Sequence, residues 1–324
     1  MRKISCVLFL VFCFGNVVCM TTEQDEKLSK TNQALIEAKR QKIETEIAQL
    51  KDHPWAGQYY FGDGLGANVS LTLAPENGFT ITWYGCLGLY DQNHGTVDWD
   101  KDRNTLKMSF AFEVEKGYIG RYASEYKPIR WGERVYLISA NEIVQFCNDI
   151  NSGREPRKGV HGQSFLRRGD EKKEAEGKPV LPEEFMPYLL DEPIDAAIVS
   201  VKDVRETRDI IDSRVFITTV FINKGKKDGL APGMELYVME PKNLVESMKL
   251  TKVVETQSEG EFRIWECRGL RTPTPAEGWQ LSTRPSWWQD VQTAEKTEAV
   301  QDTKGDGLLR SIGRSIGASI FSGR

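Results

Sequence analysis

Two stretches of strict alternation, separated by a tight turn, constrain this chain more than any other feature. Val69, Leu71 and Leu73 share one face of residues 68–73, and Phe79, Ile81 and Trp83 share one face of residues 79–83. A period of two sends successive side chains to opposite sides of a strand. Pro75, Glu76, Asn77 and Gly78 lie between them and form a hairpin turn signal. Further strands are predicted at Gly95–Trp99, Thr105–Phe110 and Arg134–Ile138, with the charged turn Asp100–Asn104 between the first two. A short helix is predicted around Glu142–Asn148. Consecutive short strands with tight turns make an antiparallel meander, which must close or pack to bury its apolar face.

A chain of 324 residues exceeds one comfortable core and suits two modest domains. Residues 167–190 carry Arg167, Arg168, Lys172, Lys173, Glu183 and Glu184 with few apolar positions, and are expected to be an exposed linker. A second set of strands follows, at Ala196–Val201, Arg214–Asn223, Met234–Met239, Lys249–Glu255, Phe262–Cys267 and Trp279–Thr283. Gly225, Gly229 and Gly233 space the turns between two of these strands, where positive φ or close backbone approach is expected. Asp228 is placed to hydrogen-bond its own turn.

The two ends have a different character. Arg2 and Lys3, the apolar run Val7–Phe14 and a cleavage site at Val17, Val18 and Cys19 read as a signal peptide over residues 1–19. The run is too short for a transmembrane helix. Cys19 raises a lipid anchor as the minority reading, because Asn16 and Val18 replace the Leu and small residue usual before a lipidated Cys. Without Arg2 and Lys3, the 43 basic residues become 41 against 47 acidic, a net of −6, and nothing in that balance points to nucleic acid.

Residues 21–52 lack Gly and are rich in Glu, Lys, Gln and Ala, so a helix is expected until His53 and Pro54. Leu28, Leu35, Ile36, Ile43, Ile47 and Leu50 line one stripe of it. That stripe suits a spacer helix leaning on the first domain, or a short coiled coil that dimerises the chain. After a linker at 285–304, the tail 305–324 places Leu308, Ile312, Ile316 and Ile320 four apart on one helix face, followed by Phe321. This face is the expected contact with a membrane surface or a partner.

Chemistry-bearing residues are scattered. Asp91 and His94 fall together in an apparent turn, but His53 and His161 are far away in sequence. The run from Gly62 to Gly66 lacks the Gly-Lys-Ser/Thr ending of a phosphate loop. No catalytic residue, cofactor or metal is assigned. Three cysteines, Cys86, Cys147 and Cys267, remain after the signal segment. Cys86 and Cys147 both fall in the first domain, and either a disulfide between them or two buried thiols fits.

Two resemblances rest on these patterns. Trp55 to Tyr59, the strand–turn–strand that follows, and Gly95 with Trp99 resemble lipocalin-type, calycin-like barrels over residues 54–140. They are also similar to the N-terminal barrel of copper-resistance outer-membrane lipoproteins. The paired cysteines of that metal motif are absent, Gly62–Gly66 standing in their place, so a copper role is not implied. The Gly225, Gly229 and Gly233 pattern, with Gly278 and Trp279 later, resembles two small barrels of bacterial envelope proteins. These are the periplasmic cell-shape protein of the rod complex and the C-terminal domain of a flagellar-assembly protein. Trp279 stands where those barrels commonly carry an acidic residue. The resemblance implies an envelope location and protein contacts rather than a reaction.

The expectation is therefore a mainly β chain with two small antiparallel β-barrel or sandwich domains, at 53–166 and 191–284. An N-terminal helix and a short C-terminal amphipathic helix flank them. It reads as an exported, periplasmic or secreted protein that is not an enzyme and makes protein–protein contacts. Its partners would be envelope proteins or a membrane surface, reached through the tail. The alternative is a carrier holding a small ligand in the first barrel; a less favoured one is an exported hydrolase, which needs carboxylates converging in one pocket.

Overall fold

The computed structural model describes residues 23–62, 68–85, 88–112, 122–158, 163–209, 212–242, 244, 246–266 and 273–285. The signal segment, Cys19, Cys86, Cys267, His161 and the tail with Leu308, Ile312, Ile316, Ile320 and Phe321 lie outside these residues. Within them the chain is mainly β and forms two closed antiparallel barrels, preceded by a helix.

The first barrel is an eight-stranded meander. Its strands are β1 (Gly57–Phe61), β2 (Asn68–Ala74), β3 (Gly78–Gly85), β4 (Gly88–Asp100), β5 (Thr105–Phe110), β6 (Glu125–Trp131), β7 (Arg134–Ile138) and β8 (Phe165–Arg167). They pair in sequence order, and β8 closes on β1 with Tyr59 opposite Arg167. The predicted alternation holds: Val69, Leu71, Leu73, Phe79 and Ile81 point inward and meet Trp55, Tyr59, Tyr126, Phe165 and Leu137. Closure removes the exposed edges that an open sheet would present. Arg167 latches the seam, donating to the carbonyls of His53 and Pro54 at 3.1 Å each and to the Tyr59 hydroxyl at 3.1 Å.

Helix α1 (Glu23–Gln49) lies against β2, β3 and β4, burying Ile36 and Ile43. Glu46 ties it down, because its carboxylate accepts from the backbone N–H groups of Glu76 and Asn77 at 2.8 and 2.9 Å. The helix thus leans on the hairpin turn at Pro75–Gly78.

Strands β9 (Asp195–Arg208), β10 (Arg214–Ile222), β11 (Glu235–Glu240), β12 (Ser247–Val253), β13 (Ser258–Trp265) and β14 (Gln280–Ser282) form the second barrel. Their order is β10-β13-β12-β11-β14-β9, closed by β9 on β10. Ile198, Val220, Ile222, Leu236, Met248, Leu250 and Phe262 fill it. The glycine spacing behaves as expected. Gly229 and Gly233 sit at φ +94° and +91°, and a Cβ on Gly225 would come within 2.4 Å of the Val254 carbonyl oxygen. Asp228 does hold its own turn, accepting from the Gly225 N–H at 3.0 Å.

Two expectations need correction. Asp91 and His94 are not in a turn: β4 runs from Gly88 to Asp100, and Asp91 pairs with Trp83 and His94 with Thr80. The stretch expected to be an exposed linker is mostly exposed, but it is strapped to the first barrel at several points rather than free of it. Asp170 is buried and accepts from the Val135 N–H at 2.9 Å, Val180 donates to the Arg130 carbonyl, and Leu181 and Leu189 enter a small core. A few well-placed apolar and acidic groups outweigh the mean polarity on which the linker reading relied.

Candidate functional site

The two barrels meet at α2 (Ile143–Asn151), the helix predicted from the sequence. Ile143, Phe146 and Cys147 point back into the small core with Ile129, Tyr136, Ile138, Leu181 and Leu189. Burial pushes the Cys147 thiol up to about 12, so it is an inert packing group rather than a nucleophile. Among the described residues it is a free thiol, and Cys86, its partner in the disulfide alternative, lies outside them.

The other face of α2 is polar and docks on the second barrel. Asn148 donates to the Gly233 carbonyl at 3.0 Å and accepts from the Glu235 N–H at 3.2 Å. One amide therefore satisfies two backbone groups where β11 begins. Asn151 acts similarly, donating to the Tyr188 carbonyl and accepting from the Leu190 N–H. Arg284, just after β14, reaches the Asn151 carbonyl at 3.1 Å. The left-handed Gly233 also permits the approach of α2, for a Cβ there would stand 3.2 Å from Val144. Asn148→Ala should cost about 2–3 kcal/mol, since a buried N–H and a partly buried carbonyl lose their partner. Urea denaturation monitored by tryptophan fluorescence measures that loss.

Beside this contact lies a groove of about 580 Å³ between the barrels. Glu142 and Gln145 line it from α2 and the turn before it; Glu235, Lys249, Arg263 and Trp265 line it from the second barrel. Burial raises the Glu142 carboxyl, and the nearby Lys249 pulls it back. Glu235 accepts from the Tyr237 hydroxyl at 3.1 Å. Trp265 is half-exposed at 50%, a large apolar surface at the rim of a charged groove.

Asp149 is fully buried behind the groove, with 0% exposure. Arg154 reaches it at 3.5 Å, a long ion pair, and stacks its guanidinium 5.9 Å from the Tyr237 ring. The carboxyl is pushed up to about 7, chiefly by burial; Arg154 lowers it, Glu235 raises it further, and the Gln145 amide lies close by.

Neither the Asp91–His94 pair weighed from the sequence nor His53 lies on this groove. His53 caps the start of the first barrel, its Nδ1 accepting from the Ala56 N–H at 3.0 Å. His94 packs edge-on to Phe112, and burial, then Lys39, lowers its pKa. Among the described residues no group of His, Cys, Asp and Glu side chains is arranged to hold a metal, and no helix is long and apolar enough to cross a membrane. Sequence reasoning missed Asn148, Asp149 and Glu235. The local signal for Asn148 and Asp149 is only a run of polar residues on a short amphipathic helix, which reads as a solvated face, and Glu235 is a single acidic residue at the start of β11.

The chain matches no family model, no curated protein and no solved structure. The fold and the groove define it only as a two-barrel β protein with a polar seam between the barrels.

Proposed function

We propose that this chain is an exported, non-enzymatic adaptor of the bacterial envelope that binds protein partners through the groove between its barrels and through its C-terminal tail. The observation that carries this reading is where the side chains go. The inward residues of both barrels pack on one another, while Trp265 stands half-exposed at a groove bearing charges of both signs. Trp and Arg in a partly desolvated recess are the residues that dominate protein interfaces. The signal segment supports export, and the Gly225, Gly229 and Gly233 turns support the likeness to small envelope barrels.

The test is affinity capture from bacterial envelope extracts with the mature chain, its Trp265→Ala variant and a form lacking residues 305–324. Trp265→Ala should reduce partner capture about tenfold or more. Capture unchanged by both alterations would overturn the adaptor reading. A small molecule retained by the first barrel in native mass spectrometry would favour the carrier instead.

One observation favours a second reading, an exported hydrolase. Glu142, Glu235 and Glu261 line a single groove, with Asp149 behind it. The tail also holds Gly313, Ser315 and Gly317 at the spacing of a nucleophile elbow, but the apolar residues around them recur every four positions, a pattern unlike the strand sequence that precedes such an elbow. Hydrolytic activity on glycans or esters that Glu235→Gln abolishes would establish this reading.

A further inference from the structure

β9 outlasts its neighbour on one side. β14 pairs with it only at residues 195–197, whereas β10 accompanies it to Arg208. Among the described residues, no strand covers the side of residues 199–208 that faces away from β10. The register sets which backbone groups face that open side. Asp209 N–H donates to the Ser213 carbonyl, and antiparallel pairs alternate between hydrogen-bonded and non-hydrogen-bonded. Counting back along the ladder, Val204, opposite Thr218, falls at a non-hydrogen-bonded position. Its N–H and C=O therefore point outward, away from β10. Its side chain is 45% exposed, and Val199 and Val201 are exposed beside it.

We infer that this edge pairs with the same edge of a second copy, antiparallel and two-fold symmetric about Val204. Exposed edges are ordinarily protected by charge, and this one is heavily charged. Its charges run Lys202, Asp203, Val204, Arg205, Glu206, which is sign-inverted about its centre. A two-fold pair centred on Val204 sets Asp203 opposite Arg205 and Lys202 opposite Glu206, each twice. A two-fold pair centred on Lys202, Asp203, Arg205 or Glu206 would oppose that charge with its own copy. The pattern thus blocks the neighbouring registers and permits the one with an apolar centre. Lys202, Arg205 and Glu206 already reach Glu259, Glu261 and Arg214 within the chain, so a second strand would extend existing charge pairs across the join. The bulge at Lys202 shortens the flat part of the edge, so the contact is small and the dimer weak.

Sedimentation equilibrium of the mature chain across a wide concentration range tests the inference. The wild type should dimerise reversibly. Asp203→Arg opposes two arginines and should weaken the dimer about tenfold or more. Adding Arg205→Asp to it restores opposite signs in the same register and should recover dimerisation. Val204→Pro, which removes an outward N–H and leaves the β10 ladder intact, should abolish it; circular dichroism confirms that each variant is folded. A monomeric wild type, or a dimer insensitive to Asp203→Arg, overturns the inference. A dimer lost in the single variant but not recovered in the double variant overturns the register.

Discussion

Replacing Gly95 with alanine should destabilise the first barrel by about 3 kcal/mol or more, seen as a lower urea midpoint. A Cβ on Gly95 would lie 1.9 Å from the Ser109 carbonyl oxygen and 2.7 Å from Phe79 Cε1. Ser109 belongs to β5, and Gly95 faces Phe110 across the β4–β5 ladder. The obstruction is therefore backbone that is itself held in a sheet, so no side-chain rotation relieves it. Gly95 also pairs with Phe79 of β3, so strands on both sides would have to move. Alanine at Gly177, where a Cβ meets nothing within 4 Å, serves as the control; only its positive φ of +67° opposes the change, so a smaller loss is expected there. Equal losses at the two positions would show that crowding at Gly95 does not govern the effect.

Gly95 also shows how far the sequence could be read. Its place before Thr96–Trp99 marked a strand, and the alternation in β2 and β3 marked inward faces that the structure keeps. Such patterns are legible because one buried face imposes a period of two. β6 and β8 were not legible. β6 contains Pro128, tolerated because β5 pairs only with the start of that strand, at Glu125 and Tyr126. β8 is three residues long, too short to display a period. The outer half of β9 was missed for a different reason: both its faces are exposed, and without burial no alternation is required. Asp91 and His94 misled because polar residues on a half-buried strand look like a turn. The groove was invisible for a further reason. Its residues come from α2, β11, β12 and β13, brought together only by closure of the second barrel and docking of α2, and no local pattern encodes that meeting.

The seam between the barrels should weaken as pH rises from 4 to 7, and Asp149→Asn should remove that dependence. The folded carboxyl titrates at about 7, against an ordinary value of 3.8. Between those values the folded chain holds a proton that the unfolded chain has released. Folding stability therefore falls with increasing pH across this window. The stabilising effect of the bound proton is complete below about pH 4 and is lost as pH passes through about 7. A gap of roughly three pH units corresponds to about 4 kcal/mol. Arg154, at 3.5 Å, is too distant to offset the cost of a buried charge, and Glu235 adds repulsion. Asparagine keeps the shape and stays neutral, so the variant should match the wild type only below about pH 4 and exceed it by about 1.6 kcal/mol at pH 5. By pH 8 it should exceed the wild type by about 4 kcal/mol. Urea midpoints of both proteins at pH 5, 6, 7 and 8 give the comparison. Parallel curves would mean that Asp149 is ionised throughout and that Arg154 holds it as a true ion pair. Converging curves at low pH would instead place a neutral acid at the seam.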